Sequence, residues 1–481
     1  MTASPVTAVD TLVDDRTRAP RRAPVWLVIL AASLPMFMAT LDNLVVTNAL
    51  PVLQRDLGAS IEELQWFINA YSLAFASLIL MAVALGDRFG RRRVFAIGIG
   101  VFTVASALCA LAVSPDTLIA ARVLQGLGAA SLMPLSLAIL AGSVPKRFRA
   151  LAIGIWGGVA GLGVALGPLI GGAVVEGFTW HAIFWLNVPV GIIAIPLVYR
   201  ALGEAFGDPV RLDLTGLALA AVGVFGVVFG IVRGNDAGWS SGQVLAGLVG
   251  GGALLLAFLW WEGRAKDPLL PLHLFRDRSF SAANAVGITF TLGMFGAVFI
   301  LIQFLQVVQG YSPLHAGVLT MPWTMAPLVI APLAGLVAPR VGTRALIVTG
   351  LLFQAIGLGW IAVTMSPTVT YSEFVPAFVF AGVGMGLVFA PSATAVLANM
   401  RDEDHAKASG TNSTLREIGV ALGIAILTAV FTASGGQFTP TGYTDAAIRA
   451  VWTGAAFLVL AAFFGTRLPA GRGHAGAAAA H

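Results

Sequence analysis

The chain has 481 residues, of which 58% are hydrophobic and 11% are charged, and its mean hydropathy is +0.88. Soluble globular domains carry about 25% charged residues, so this composition excludes a soluble enzyme. The 56 glycines lie inside apolar runs without a Gly-X-Y period, which excludes a collagen-like or disordered chain. The single cysteine, Cys109, excludes an intramolecular disulfide and a multi-thiolate metal cluster. The sequence therefore predicts a membrane protein.

Residues 1–25 contain three aspartates and four arginines but no apolar core, so they are predicted to form a soluble tail rather than a signal peptide. Beyond them, apolar runs recur at the length of roughly 20 residues that crosses a bilayer core. We predict an all-α polytopic protein with fourteen transmembrane helices. Their approximate spans are 26–50, 62–85, 94–113, 117–143, 150–175, 182–199, 212–232, 243–261, 280–308, 314–337, 345–364, 373–397, 408–433 and 444–466.

The lysines and arginines concentrate on one side of these spans. If the N-terminal tail lies on that side and successive loops alternate between the two sides, that side carries 23 of the 28 basic residues. The positive-inside rule then places both termini in the cytoplasm, with the protein in the plasma membrane.

Two loops echo each other at an offset of 252 residues. The loop after the second span contains Arg88 and Gly90, which align with Arg340 and Gly342 after the tenth span. This echo predicts two six-helix bundles separated by two inserted helices, with coincidence as the alternative. The predicted segments are a tail (1–25), a first bundle (26–200), the insert (201–262), a loop (263–279), a second bundle (280–467) and a tail (468–481).

A charged pair is expected deep in the membrane. Arg122 opens the sequence Arg-Val-Leu-Gln-Gly-Leu-Gly in the fourth span, and an arginine costs about 2.5–3.5 kcal/mol to insert, so it needs a partner or a wet cavity. By rise per residue, it lies about 9 Å and Asp42 about 12 Å below the outer ends of their spans. We hypothesise that both face one cavity and that Asp42 exchanges its ion pair for a proton. A static pair, or an arginine that reaches the outer surface, is the alternative.

The fifth span carries a regular series of small residues with the spacing G-x8-G-x3-G-P-x2-G-G, which predicts a tight, kinked helix contact between the bundles. The series consists of Gly154, Gly163, Gly167, Pro168, Gly171 and Gly172.

These motifs together resemble the major facilitator superfamily, and within it the 14-span drug:proton antiporter branch, over residues 26–466. The second-span loop is similar to that family's Asp-Arg-x-Gly-Arg-Arg signature, which implies a gating charge cluster. Its members here are Asp87, Arg88, Gly90, Arg91 and Arg92. The resemblance implies that Arg122 is linked to proton movement and that the fifth-span series marks antiport. In the thirteenth span Glu417 replaces a glutamine typical of the family, and we expect it to have a secondary role in proton coupling or substrate binding.

Substrate contacts are expected on two stripes, one aromatic in the second span and one of amides in the ninth, although such stripes more often pack helices together. The candidate cavity residues are Asn43, Phe67, Tyr71, Gln303, Gln306 and Arg416. Aromatic rings with a carboxylate would suit a lipophilic molecule, including a cation.

The chain has three lysines, and none lies in a phosphate-binding loop, so ATP is not the expected energy source. No cofactor, metal or nucleic acid is expected, and the partners are a small molecule, protons and the bilayer. The predicted function is proton-coupled export of lipophilic small molecules by a monomer. Proton-linked uptake of a metabolite, a non-transporting receptor or scaffold, and a membrane-bound enzyme are the alternatives.

Overall fold

A computed structural model describes residues 23–207, 213–400 and 405–469 of the chain. Throughout these ranges the regular structure is helical. The α-helices are α1 (Val25–Leu57), α2 (Ile61–Phe89), α3 (Arg91–Ala110), α4 (Pro115–Ser143), α5 (Lys146–Gly177), α6 (His181–Trp185), α7 (Asn187–Ala201), α8 (Leu214–Ala237), α9 (Gly242–Leu245), α10 (Gly251–Glu262), α11 (Arg278–Gln303), α12 (Pro313–Leu319), α13 (Met321–Thr324), α14 (Ala326–Val341), α15 (Thr343–Thr364), α16 (Tyr371–Leu397), α17 (His405–Ala433) and α18 (Pro440–Gly465).

Thirteen helical segments in the described part of the chain are long and apolar enough to cross a membrane. A multi-pass, all-helical protein is therefore confirmed. α5 is a further helix of 32 residues, with an apolar stretch at Leu166–Gly177. The count of fourteen spans, with two of them inserted, stays a prediction.

Capping residues and glycines set the helix ends. The Ser60 hydroxyl accepts the Glu63 N–H, and the Glu63 carboxylate accepts the Ser60 N–H, which caps the first turn of α2. At the other end of α2, Gly90 adopts φ 104°, which lets the chain turn sharply into α3. We call the side of the molecule that carries the α2–α3 loop (86–93) the basic side, and the opposite side the outer side.

The predicted span 314–337 is not one helix. It is divided into α12, α13 and α14. Pro322 and Pro327 stand at the first turns of α13 and α14, where the missing N–H and the fixed φ of proline favour a new helix start over continuation of the old one. The predicted span 182–199 is likewise divided, into α6 and α7.

Two groups of helices pack mainly among themselves, α1–α7 in one and α11–α18 in the other. They meet most extensively at two places, where α2 packs against α17 and where α5 packs against α12. The hairpin formed by α8 and α10 contacts both α2 and α17 through α8, so it touches both groups. The domain boundaries predicted from the repeat stay a prediction.

The small residues of α5 allow backbones to approach closely. A Cβ atom on Gly163, Gly167 or Gly171 would overlap Thr40, Leu44 or Val45 of α1 respectively. Gly172, on the next position around the helix, faces Pro313 and Leu314 of α12 instead. Gly154 belongs to the same helix. The series therefore serves the α1–α5 contact with one face and the α5–α12 contact with the other.

The α1–α5 contact should not tolerate a larger side chain at Gly171. A Cβ atom there would lie 2.9 Å from the Val45 Cα, and overpacking of this kind costs about 1–3 kcal/mol. We expect Gly171→Leu to lower the thermal midpoint of the detergent-purified protein. Gly158→Leu on the same helix is the matched control, because nothing lies within 4 Å of a Cβ atom there. Equal midpoints for the two variants would contradict this packing.

Candidate functional site

The Asp42–Arg122 ion pair is buried inside the first group of helices. Arg122 Nη1 of α4 donates to Asp42 Oδ2 of α1 at 2.5 Å. The exposed fractions of the two residues are 0% and 3%. The two residues of the predicted pair are therefore brought into direct contact, 80 positions apart in the chain.

Three neutral polar side chains complete the surroundings of the Asp42 carboxylate. Gln125 Nε2 and Asn187 Nδ2 donate to Asp42 Oδ1 at 2.9 and 2.8 Å. Gln125 also accepts from Arg122 Nη1 at 2.6 Å and donates to Ser106 Oγ at 2.8 Å. Such charge-assisted hydrogen bonds offset the loss of hydration that burial imposes on a carboxylate.

Arg122 is held on its other side by α2. Its Nε donates to the Phe67 carbonyl at 2.9 Å, and its guanidinium lies 4.4 Å from the centre of the Tyr71 ring. Phe67 and Tyr71 are themselves buried, with 0% and 2% exposure. These two aromatic residues, predicted as cavity contacts, therefore support Arg122 from within the helix group, and a cation–π contact supplements its ion pair.

A small apolar cavity lies between the two groups of helices. Residues from α1, α5, α11, α13 and α16 contribute to it, and Thr320 and Thr324 are the polar ones. Its lining is Leu44, Pro168, Met294, Phe295, Val298, Leu301, Ile302, Thr320, Trp323, Thr324 and Met385. Leu44 follows Asp42 by two residues, so their side chains diverge by about 160° around α1. Asp42 thus points into the first group of helices while the same helix presents Leu44 to the cavity.

The two groups are joined at the outer side by one asparagine of α1. Asn48 Nδ2 donates to the Pro168 and Pro313 carbonyls at 2.8 and 2.9 Å. Gln306 Nε2 donates back to the Asn48 carbonyl and side-chain oxygens, at 2.8 and 3.0 Å. We call Asn48, Gln306, Pro168 and Pro313 the outer latch. Gln303, also predicted as a cavity contact, bonds instead to the Phe299 carbonyl of its own helix.

The remaining candidates lie apart from the ion pair. Arg416 of α17 stacks over Phe389 of α16 with 5.0 Å to the ring centre. Glu417 points toward α2, where it lies beside Ser72. Both residues are partly exposed, as is Asn43 on α1.

On the basic side, Asp87 and Arg91 of the predicted charge cluster are in contact, whereas Arg92 lies beside Glu204. Arg91 Nε donates to Asp87 Oδ1 at 2.7 Å. Glu204, in the segment that follows α7, accepts the Arg92 N–H at 2.9 Å, and its carboxylate packs against Gly90. Arg88 stacks on Phe89 outside this cluster. The cluster therefore ties the α2–α3 loop to the chain that leads into the α8–α10 hairpin.

The sequence of this chain matches known proteins. The family model of the Major Facilitator Superfamily matches residues 32–424 and 285–479. The chain belongs to the major facilitator superfamily. Within this family, it is 35% identical over 409 residues to the multidrug resistance protein Stp of Mycobacterium tuberculosis, covering 85% of this chain and 76% of that one. It is 33% identical over 423 residues to the tetracenomycin C resistance and export protein of Streptomyces glaucescens, covering 88% and 78%.

Two solved transporters share the fold. The human organic anion transporter MFSD10 superimposes with a TM-score of 0.64 at 16% identity, covering 92% of this chain and 100% of that one. A bacterial homologue of the human lysosomal transporter Spinster gives a TM-score of 0.63 at 18% identity, covering 92% and 96%. The protein is thus a multi-pass membrane transporter of this superfamily, not an enzyme, and its relatives include resistance proteins.

Sequence reasoning missed several site residues. Gln125 lies one helical turn after Arg122, a spacing that could have identified it as a neighbour. Ser106, Asn48 and Glu204 have no comparable sequence signal, because their partners lie on other helices. Asn187 lies 145 positions after Asp42 in the chain, and its sequence position does not reveal their contact.

The ion pair should show strong coupling in a double-mutant cycle. Removing one member of a buried pair leaves an uncompensated charge and costs about 3–5 kcal/mol. We therefore expect Asp42→Asn to destabilise the protein more than the double variant Asp42→Asn/Arg122→Gln, which removes both charges. Thermal unfolding in detergent, followed by tryptophan fluorescence, measures the difference. Additive effects of the two substitutions would show that the contact contributes no stability of its own.

Proposed function

We propose that the protein exports lipophilic small molecules from the cytoplasm in exchange for protons, as a monomer in the plasma membrane. The observation that carries this proposal is the buried Asp42–Arg122 pair, on a helix that also lines the cavity between the two helix groups. The names of the relatives, which refer to resistance and export, favour export over uptake. The basic side is then cytoplasmic, with both termini on it.

Protonation of Asp42 is the proposed coupling step. A proton on this carboxyl removes the charge that attracts Arg122 and converts an acceptor into a group that can also donate. Gln125 and Asn187, which donate to the carboxylate, would then have to find new orientations. Arg122 retains its contacts with the Phe67 carbonyl and the Tyr71 ring, but neither of these groups carries the negative charge that it loses.

α1 connects this carboxyl to the outer latch. Asn48 follows Asp42 by six residues, which is about 9 Å along the helix, and it holds both the Pro168 and the Pro313 carbonyls. A shift of α1 on protonation would move Asn48 relative to these carbonyls. The geometry thus supports coupling through the helix, without direct competition between proton and substrate for Asp42.

The cavity determines the proposed class of substrate. Its lining combines aliphatic, methionine and aromatic side chains, a surface suited to lipophilic molecules of varied shape. Helix groups that rock about a central site would enlarge it and expose it to alternate sides. Glu417 is proposed as a second proton-binding group, and the charge cluster at the α2–α3 loop as a contact that changes when the groups rock.

Transport with a matched carboxylate control tests this function. In proteoliposomes that contain a pH dye, external ethidium should raise the internal pH, because drug enters as protons leave. We expect Asp42→Asn to abolish this coupled proton flux while drug–drug counterflow persists, since exchange of drug for drug needs no proton release.

Asp116→Asn is the control, because Asp116 is an exposed carboxylate at the outer start of α4. This variant should give the same drug-dependent rise in internal pH as the unmodified protein. Liposomes without protein should show only the pH change caused by passive entry of the drug. Phenylnaphthylamine, a neutral lipophile, tests whether a positive charge on the cargo is required. Drug-dependent proton flux that survives in Asp42→Asn would remove Asp42 from the mechanism.

A further inference from the structure

One face of α2 carries polar side chains that are buried away from water. Gln65, Asn69 and Ser72 are spaced by four and three residues, so they lie on one face at successive turns. Their exposed fractions are 4%, 0% and 0%. Gln65 Oε1, both polar atoms of the Asn69 side chain and Ser72 Oγ have no hydrogen-bond partner among the residues that the structure describes.

The α17 helix packs against α2, and it also carries polar atoms that are buried without a hydrogen-bond partner among the described residues. Ser72 of α2 lies beside Glu417 of α17. Thr414 and Thr428 lie within about 60° of Glu417 around the helix axis. Glu417 Oε2 and the hydroxyl oxygens of these two threonines are buried, and within the described part of the chain they have no hydrogen-bond partner.

By rise per residue, these side chains lie at depths that range from near the outer side to the middle of the molecule. Thr428 and Gln65 lie about 8 and 6 Å from the outer ends of their helices, and Asn69 and Ser72 follow at increasing depth. We call Gln65, Asn69, Ser72, Thr414, Glu417 and Thr428 the polar seam.

The inserted helix α8 covers this region. Val228 and Val232 of α8 pack into one cluster with Trp66 and Leu73 of α2 and with Ala421 and Ala425 of α17. This cluster lies beside the polar face of α2, at about 60–100° around the helix from it. The covering helix is therefore apolar where it bridges α2 and α17.

Polar contacts hold α8 in this position at the outer side. Arg233 Nε of α8 lies 3.0 Å from Glu62 Oε1 of α2, and Asn235 Nδ2 donates to the Ala429 carbonyl of α17 at 2.6 Å. These contacts attach the insert to both helices near the outer end of the polar seam.

Buried polar atoms without protein partners in native proteins are commonly satisfied by bound water. We propose that the polar seam holds a chain of bound water that conducts protons between the outer side and Glu417, and that α8 separates this water from lipid. The proposal rests on the proton-coupled function above and adds a route and a role for the inserted hairpin.

The proton moves from group to group, and each group along the chain releases one proton for each proton that it accepts. Each water accepts one proton and passes another on, and the hydroxyls of Ser72 and Thr428 can do the same. Gln65 and Asn69 only hold and orient water. The Glu417 carboxylate accepts the arriving proton and becomes a neutral carboxylic acid. Arg416, next in sequence, and Tyr71 of α2 are the titratable groups that face it, and Tyr71 in turn stacks on Arg122.

Replacement of Asn69 tests the route. Asn69→Leu fills the seam with an apolar group of similar size, whereas Asn69→Ser leaves room and a hydroxyl for water. We expect Asn69→Leu to slow drug-coupled proton flux about tenfold, equivalent to roughly 1.4 kcal/mol in the barrier, with ethidium binding unchanged. Asn69→Ser should retain the rate of the unmodified protein.

Gln354→Leu is the matched control. Gln354 lies on α15, outside the seam, and its carboxamide is equally buried, with no hydrogen-bond partner for either polar atom in the described ranges. Its replacement should leave the flux unchanged. Equal slowing by Gln354→Leu and Asn69→Leu, or no slowing by Asn69→Leu, would overturn the proposed route.

Radiolytic hydroxyl-radical footprinting provides a readout that does not depend on transport. It labels side chains beside bound water, so we expect labelling of the buried segment 65–73 in the unmodified protein and its loss in Asn69→Leu. An unlabelled segment in the unmodified protein would overturn the water chain, whatever the transport assays show. If no tested drug drives proton flux in the unmodified protein, coupled export fails, and so does the conducting role. Labelling would then support only bound water in the seam.

Discussion

The structure depends on the need to compensate charge in an interior that excludes water. Asp42 and Arg122 are nearly inaccessible, and each would carry a large desolvation cost alone. Together they draw five helices to one point, α1 with Asp42, α4 with Arg122 and Gln125, α2 with Phe67, α3 with Ser106 and α7 with Asn187. In the proposed mechanism the same requirement lets the pair act as a switch, because one proton on Asp42 removes the charge that compensates Arg122.

The two contacts between the helix groups differ in chemistry. The α5–α12 contact is made by backbone, with Gly172 against Pro313 and Leu314, and by the carbonyls that Asn48 holds. The α2–α17 contact includes an apolar cluster shared with α8, and both helices also carry buried polar atoms. A contact between rigid backbones favours two discrete arrangements, whereas polar side chains can reorient within one arrangement. In the proposed cycle the first would act as a latch and the second as a proton route.

The position of the α8–α10 hairpin beside α2 and α17 has a physical explanation. A polar line at the boundary of two helix groups would be costly if it faced lipid. An apolar helix that packs against both α2 and α17 removes that exposure, and the Glu62–Arg233 pair orients it. The Glu204 carboxylate, in the segment between α7 and α8, contacts the α2–α3 loop, so the hairpin is connected to the first helix group at the basic side as well as at the outer side.

The sequence by itself determined the helices, the basic loop and the glycine spacing of α5. These features follow from local properties, namely the length of apolar runs, the 3.6-residue period and the charge of short loops. The number of residues between each charged residue and the outer end of its span also predicted that Asp42 and Arg122 lie at similar depths. Only the tertiary structure decided that Tyr71 supports Arg122 and that Leu44, not Asp42, faces the cavity. The rotation of each helix and the choice of its neighbours arise from packing between segments 80 to 145 residues apart, as the contacts of Asp42 with Arg122 and Asn187 show. Spacing along one helix carries no information about such partners.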